Sequence, residues 1–240
     1  TPRLNGESDT LPSTALVSSD LQFNSAYSSF SLDFDGTNDY VNGGVNTSLA
    51  SATNFSLSGW FYFDSVANNK TLFSYGGTGV NYGMTVQTHA SGNLIFVIAS
   101  ATNDSGSNYI ETNLASVLTT STWYNIVCTY DGSQTGNTDK AKIYINGTEV
   151  AYAAGLGTIP ATTSASTGPF NIGQWDLGGS NRFFNGKIDE VSIFNKTLNQ
   201  AEITSVYNNG YPTDITALSP VSWWRLGEDA YFDGTDFTIP

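Results

Sequence analysis

Apolar and polar positions alternate with a period of two in one short stretch after another, the pattern of half-buried strands. SLDFDGTNDYV sets Leu32 and Phe34 on one face and Asp33 and Asp35 on the other, then turns at Gly36-Thr37-Asn38. FSLSGWFYF, KTLFSYG, YGMTVQT, NLIFVIAS, WYNIVCTYD, AKIYING, TEVAYAA and PFNIGQW follow at close spacing. Clusters of Gly, Asn, Asp and Ser separate them, residues that supply positive φ and side-chain-to-backbone turn bonds. No long helical period intervenes. Strands this short and numerous bury their apolar sides by packing face to face, which predicts an all-β jelly-roll sandwich of two antiparallel sheets.

The period changes in LNQAEITSVYNNG. There Asn199 stands as N-cap, Glu202 falls three residues on and Asn209-Gly210 offers a stop, so one short helix is expected near residues 199–208. Just before it, GKIDEVSIFN reads as a strand in which Ile188, Val191 and Ile193 cannot share one strict face. A bulge near Asp189-Glu190 resolves the conflict. Residues 1–29 are polar and weakly periodic, an arm or linker. The jelly roll is expected over 30–210. Residues 211–240 return to loop-like sequence, with an exposed-looking pair at Trp223-Trp224, and read as a C-terminal extension.

Composition agrees with β structure, with 24 Gly, 13 Tyr, 14 Phe and 5 Trp against only 12% charged residues. At 240 residues the chain is long enough to bury a core without covalent staples. Its single cysteine, Cys128 within WYNIVCTY, reads as a small buried hydrophobe. Eight Lys+Arg against 21 Asp+Glu give a formal net charge of -13, a field that repels phosphate backbones and argues against nucleic acid as a partner. No apolar run approaches the roughly 20 residues of a membrane helix, so no membrane insertion is expected.

Taken in order, SLDFDGTNDYV, FSLSGWFYF, STWYNIVCTYD, AKIYINGTEV, FNIGQW and FNGKIDEVSIFNKTLNQAEITSVYNNG resemble the laminin-G-like, concanavalin A-like jelly-roll domains, over roughly residues 30–210. The resemblance implies two antiparallel sheets curved over one another, with GKIDEVSIFN returning beside SLDFDG and the short helix at the edge. It also implies a role for Asp189. Related jelly-roll glycosidases have a similar aspartate on the closing strand, where it helps hold a structural calcium with backbone carbonyls from the first strands. Calcium takes several hard oxygen ligands, and Asp189, Asp35, Asp39 and the Gly36 carbonyl are the local supply. Asp189 accepting hydrogen bonds from turn amides is an equal alternative that needs no ion. The low-Lys, Ser/Thr/Asn-rich composition and the WWRLGE continuation further resemble laminin-G-like domains of large structural proteins of marine bacteriophages. That implies an extracellular or virion-surface setting.

The superfamily so resembled includes laminarinase-type and agarase-type glycosidases. Retaining cleavage needs two carboxyl groups about 5 Å apart, which a strand supplies from residues two or four apart. This chain lacks a Glu-x-Asp-x-Glu-like strand, and the adjacent Asp189 and Glu190 would point to opposite faces. His89 is the sole histidine and sits in the loop-like QTHASGN, without a nucleophile or orienting carboxylate that the sequence can assign. No enzyme activity is expected.

Aromatic rings remain as ligand contacts, because a sugar's apolar face stacks on a flat ring while Asn and Asp meet its hydroxyls. Trp60 and Trp123 lie in strand motifs and are expected in the core. Trp175, followed by Asp176 and a Gly178-Gly179 loop, is the candidate surface ring, with Tyr82, Tyr109 and Asn171 behind it. The expected function is a non-catalytic recognition or adhesion module for glycan or another surface polymer, within a larger fibre, tail or capsid-decoration protein. The alternative is an architectural domain that docks on other structural proteins or copies of itself. A glycosidase with carboxylates from separate strands ranks behind both.

Overall fold

In a computed structural model, which describes residues 27–76, 82–89, 92–99, 108–113, 118–176 and 182–227 and the backbone of 231–232 and 237–238, the alternation becomes two seven-stranded antiparallel sheets. Along the chain run β1 (Leu32–Asp35), β2 (Val41–Val45), β3 (Asn54–Phe63), β4 (Thr71–Gly76), β5 (Tyr82–Thr88), β6 (Leu94–Ile98), β7 (Tyr109–Thr112) and β8 (Trp123–Asp131). A single helical turn, α1 (Asn137–Lys140), precedes β9 (Ala141–Ile145), β10 (Thr148–Glu149), β11 (Tyr152–Leu156), β12 (Pro169–Ile172), β13 (Gln174–Trp175) and β14 (Arg182–Phe183). The long β15 (Asn185–Phe194), α2 (Gln200–Tyr207) and β16 (Ser222–Trp224) follow.

The first sheet has the order β1-β15-β3-β8-β9-β10, with β16 also paired to β15. The second runs β11-β7-β6-β5-β4-β12-β2. The closing strand returns beside the first, Leu32 opposite Ile188 and Asp35 opposite Asn185. Between the sheets lie Phe55, Leu57, Phe61 and Phe63 of β3, Ile126, Cys128 and Tyr130 of β8, and Phe73, Tyr75, Met84, Val86 and Phe96 of the second sheet. Phe61 meets Phe73 edge-on across the sandwich, ring centroids 5.2 Å apart. Cys128 is fully buried here, and burial pushes its thiol pKa up, so it packs as a hydrophobe.

The bulge that the sequence demands is present. Asp189 faces Trp60 and Ser192 faces Ser58, so Glu190 and Val191 together oppose Gly59 alone. Glu190 takes φ 50°, the left-handed region, and the extra residue returns Ile188, Val191 and Ile193 to the core together. Asp189 is thereby left on the outward face of the first sheet.

Helix α2 starts as expected. The Asn199 side chain accepts from Ala201 N (2.9 Å) and Glu202 N (3.1 Å), while Glu202 Oε2 accepts from Asn199 N (2.9 Å), a complete capping box. It ends at a left-handed Asn208 (φ 43°) rather than at Asn209-Gly210. Ile203 and Val206 pack on Val127, Tyr144 and Phe194, covering part of the first sheet's outward face.

Three expectations need correction. TEVAYAA is two strands in different sheets, β10 and β11. PFNIGQW breaks at Gly173 (φ 80°), where a Cβ would lie 2.7 Å from the Phe34 ring, so β13 leaves the second sheet to pair with β14. Trp223 and Trp224 are half-buried rather than exposed. They form β16, Trp224 stacks on Phe170 at 5.5 Å, and the following Leu226 is fully buried.

Candidate ligand-binding site

Strand alternation places two tryptophans on the outward face of the first sheet, beside the part that α2 covers. With Phe55, Leu57, Phe61 and Phe63 turned inward, Ser56, Ser58, Trp60 and Tyr62 share the outward side of β3. In β8 the same phase puts Trp123 and Asn125 outward, opposite in sense to Tyr124 and Ile126. Pairing across the sheet then sets two adjacent rows. Asp189, Trp60 and Asn125 form one, and Lys187, Tyr62 and Trp123 the other. Both rings face outward from the sheet; Trp60 is buried there against Tyr207, whereas Trp123 is partly exposed rather than in the core expected of it.

A pocket of about 340 Å³ opens on these rows. Trp60, Trp123, Lys187 and Asp189 line it from the sheet, Ser28, Ser29, Phe30 and Ser31 from the arm, and Gly210 and Pro212 from the segment after α2. Trp123 is 37% exposed; Trp60 is 6% exposed and stacks on Tyr207, centroids 6.1 Å apart. Lys187 Nζ donates to Asp33 Oδ2 at 3.0 Å and lies 5.6 Å from the Tyr62 ring centre. The hydrogen bond to Asp33 raises the Lys187 pKa, so its ammonium stays charged at neutral pH. Asp189 accepts from Ser28 Oγ through Oδ2 and from Glu190 N through Oδ1 at 2.7 Å. An indole face beside a carboxylate, an ammonium and serine hydroxyls is the mixed apolar and polar set that a sugar ring presents partners for.

Asp189 apart, the site residues named from sequence do not line this pocket. Trp175 is 6% exposed and packs with Ile95, Val97, Ala99 and Tyr109 on the outward face of the second sheet. The Arg182 guanidinium sits 4.8 Å above its ring and donates to Gln87 Oε1 at 2.9 Å. Trp175 and Tyr109 are thus brought together, but the expected surface ring is covered. Asn171 is buried in β12 opposite Ser74, and Asp176 is half-buried after β13. The backbone of Tyr82 lies in β5, while its side chain and Gly178-Gly179 fall outside the described residues.

The four suggested calcium ligands do not converge. Asp35 N donates to Asp39 Oδ2 at 2.9 Å, and Asp35 Oδ1 accepts from Thr37 N at 2.7 Å, so these carboxylates brace the turn around Gly36. Asp35 pairs with Asn185, four residues from Asp189, or about 13 Å along the strand at ~3.3 Å per residue. Among the described residues no group of three or more His, Cys, Asp or Glu is placed to hold a metal ion.

His89 has a partner the sequence did not assign. Its Nδ1 lies 2.9 Å from Glu111 Oε1, which also accepts from Asn93 Nδ2 at 3.0 Å. Burial pushes the Glu111 pKa up, but these two hydrogen bonds outweigh it and hold the carboxyl below its ordinary value. Among the described residues no helix is long and apolar enough to cross a membrane.

Comparison with known proteins bears on the fold. Curated protein sequences provide no match. Among solved structures the chain is similar to a heptameric SAP-like pentraxin from Limulus polyphemus, with TM-score 0.57, 14% identity, and 87% of this chain against 90% of that one. It is similar to a Bacteroides ovatus protein provisionally assigned as carbohydrate-binding, with TM-score 0.57, 18% identity, and 87% of this chain against 59% of that one. It also resembles the binding domain of botulinum neurotoxin DC, solved with SialylT, at TM-score 0.51, 17% identity, and 75% against 42%. A family model described as the concanavalin A-like lectin/glucanases superfamily matches residues 35–204, well over half the chain. The two-sheet topology, the bulged closing strand and that match agree, and the chain belongs to the concanavalin A-like lectin/glucanases superfamily.

Proposed function

We propose that this domain is a non-catalytic glycan-recognition module whose ligand seat is the pocket at Trp60 and Trp123. The carrying observation is two outward-facing indoles, Trp123 partly exposed and Trp60 buried on Tyr207, set beside Asp189 and Lys187 around a pocket of about 340 Å³. A ring 37% exposed at such a mouth has surface to stack on. The provisional carbohydrate-binding assignment of the Bacteroides ovatus neighbour and the toxin binding domain solved with SialylT support the same reading. The scarcity of lysine and the WWRLGE continuation support an extracellular or virion-borne parent protein such as a fibre, tail or capsid decoration.

A second reading is favoured by Phe30 (65% exposed), which lines the pocket with Trp123, and by Tyr211 (50% exposed), which stands in sequence between the lining residues Gly210 and Pro212. An apolar rim of this kind suits docking on another structural protein or a second copy. Glycan-array binding of wild type and Trp123→Ala separates the two. Recognition predicts array signals that Trp123→Ala weakens by about 1 to 3 kcal/mol, with unchanged melting. Wild type that binds no glycan but self-associates, with Trp123→Ala breaking the association, makes the domain architectural.

A further inference from the structure

The pocket holds its rim only in part, through Ser28 Oγ donating to Asp189. The arm residues 28–31 form part of its wall, and the adjoining Tyr27 contacts the C-terminal segment. Arg225 Nη2 donates to the Tyr27 carbonyl, and the guanidinium lies 4.2 Å above the Tyr27 ring. Tyr27 and Trp223 stack, centroids 5.9 Å apart and planes within 9°. Gly227 (φ 120°) abuts the arm so closely that a Cβ there would lie 2.6 Å from Phe30 Cβ.

Glu190 ties this segment to the sheet. Its Oε2 accepts from Trp223 Nε1 at 2.6 Å and its Oε1 from Arg225 Nε at 3.2 Å. A carboxylate 5% exposed, on a residue with φ 50°, is an expensive feature to retain without such partners. The bulge therefore does two jobs: it turns Asp189 toward the pocket and aims Glu190 at the clasp. The clasping residues Trp223 and Arg225 lie beyond the family match, which ends at residue 204.

We propose that Glu190 and Arg225 are positioning residues of the pocket, holding the arm as its rim so that ligand binding at Trp60 and Trp123 depends on the C-terminal segment. The inference rests on the glycan reading of the pocket. Hydrogen exchange followed by mass spectrometry on Arg225→Gln and Tyr27→Ala tests it. Both changes lie at the clasp, and Tyr27→Ala removes only a half-buried side chain of the arm. Amides of residues 27–31 should exchange at least tenfold faster in both variants, while β3 and β8 keep their protection. On an array of neutral and amino-bearing oligosaccharides, signals should fall at least tenfold. Unchanged arm exchange in both variants overturns the proposal, as does faster arm exchange with array binding intact. If wild type itself binds nothing on the array, the glycan reading fails separately. The clasp is then judged on exchange and on acrylamide quenching of Trp123, with Trp123→Phe as blank: quenching that does not rise in the variants overturns it.

Discussion

Glu202 shows how a single carboxylate links local structure to solution behaviour. Its hydrogen bond from Lys196 Nζ (2.6 Å), and then that from Asn199 N, hold its pKa below the ordinary 4.5. A carboxyl depressed in the folded state stabilises fully above its unfolded pKa and loses that contribution as pH falls through the folded value. Lys196 is 42% exposed, so water screens the pair and the effect stays on the order of 0.5 to 1 kcal/mol. Thermal melts of wild type and Glu202→Gln should therefore differ most near neutral pH and converge as pH falls below about 4.5. A constant gap from pH 7 down to pH 2.5 would instead make the loss one of packing. The same scale explains why this pocket is hard to read from the sequence. Trp60 and Trp123 sit in the phase of FSLSGWFYF and WYNIVCTY opposite to Phe55, Leu57, Phe61 and Tyr124, Ile126, Cys128, and that opposition is the signal the sequence carries. Trp175 carried the turn-flanked look of a surface ring, but Arg182 and the outward face of the second sheet cover it, which no local pattern encodes.

At the scale of elements, what is legible follows from short-range rules. Period-two runs with turn residues between them mark β3, β4, β5, β6, β8 and β9, and the capping box marks α2. The mismatch among Ile188, Val191 and Ile193 marks the bulge. Illegible are the features set by distant partners: Gly173 breaking one apparent strand against Phe34, and three residues of the tail, SWW, finding the edge of β15 beside Val191–Ile193. The packing of the tail on the jelly roll is illegible for this reason, since burial of Leu226 cannot be inferred from WWRLGE alone. Leu226→Ala should cost about 2 to 5 kcal/mol, the usual range for truncating a buried leucine, measured by urea unfolding. A loss under about 1 kcal/mol would return residues 211–227 to the status of an appended extension.

For the whole molecule, the deciding quantity is charge. With 21 acidic residues against eight basic ones, the domain repels anions at distances where contacts do not yet act. Within the pocket the local groups do not reverse that field. Lys187 is bonded to Asp33, and Asp189 adds a second carboxyl group beside the indoles. Indole faces attract ligand cations and carboxylates accept from hydroxyl or ammonium groups, so neutral and amino-bearing glycans meet complementary chemistry. Sulfated or sialylated polymers meet repulsion. On one array at low ionic strength, neutral and amino-bearing oligosaccharides should bind at least tenfold better than sulfated ones of equal length. The margin should narrow as salt shortens the screening length from about 10 Å at 0.1 M to about 3 Å at 1 M. Neutral ligands should change little over that range, because stacking on Trp123 does not depend on the field. Preferential binding of sulfated or sialylated glycans that weakens with salt would place the ligand on a locally cationic surface instead, and Lys187→Gln would then have to abolish it for the pocket to remain the seat.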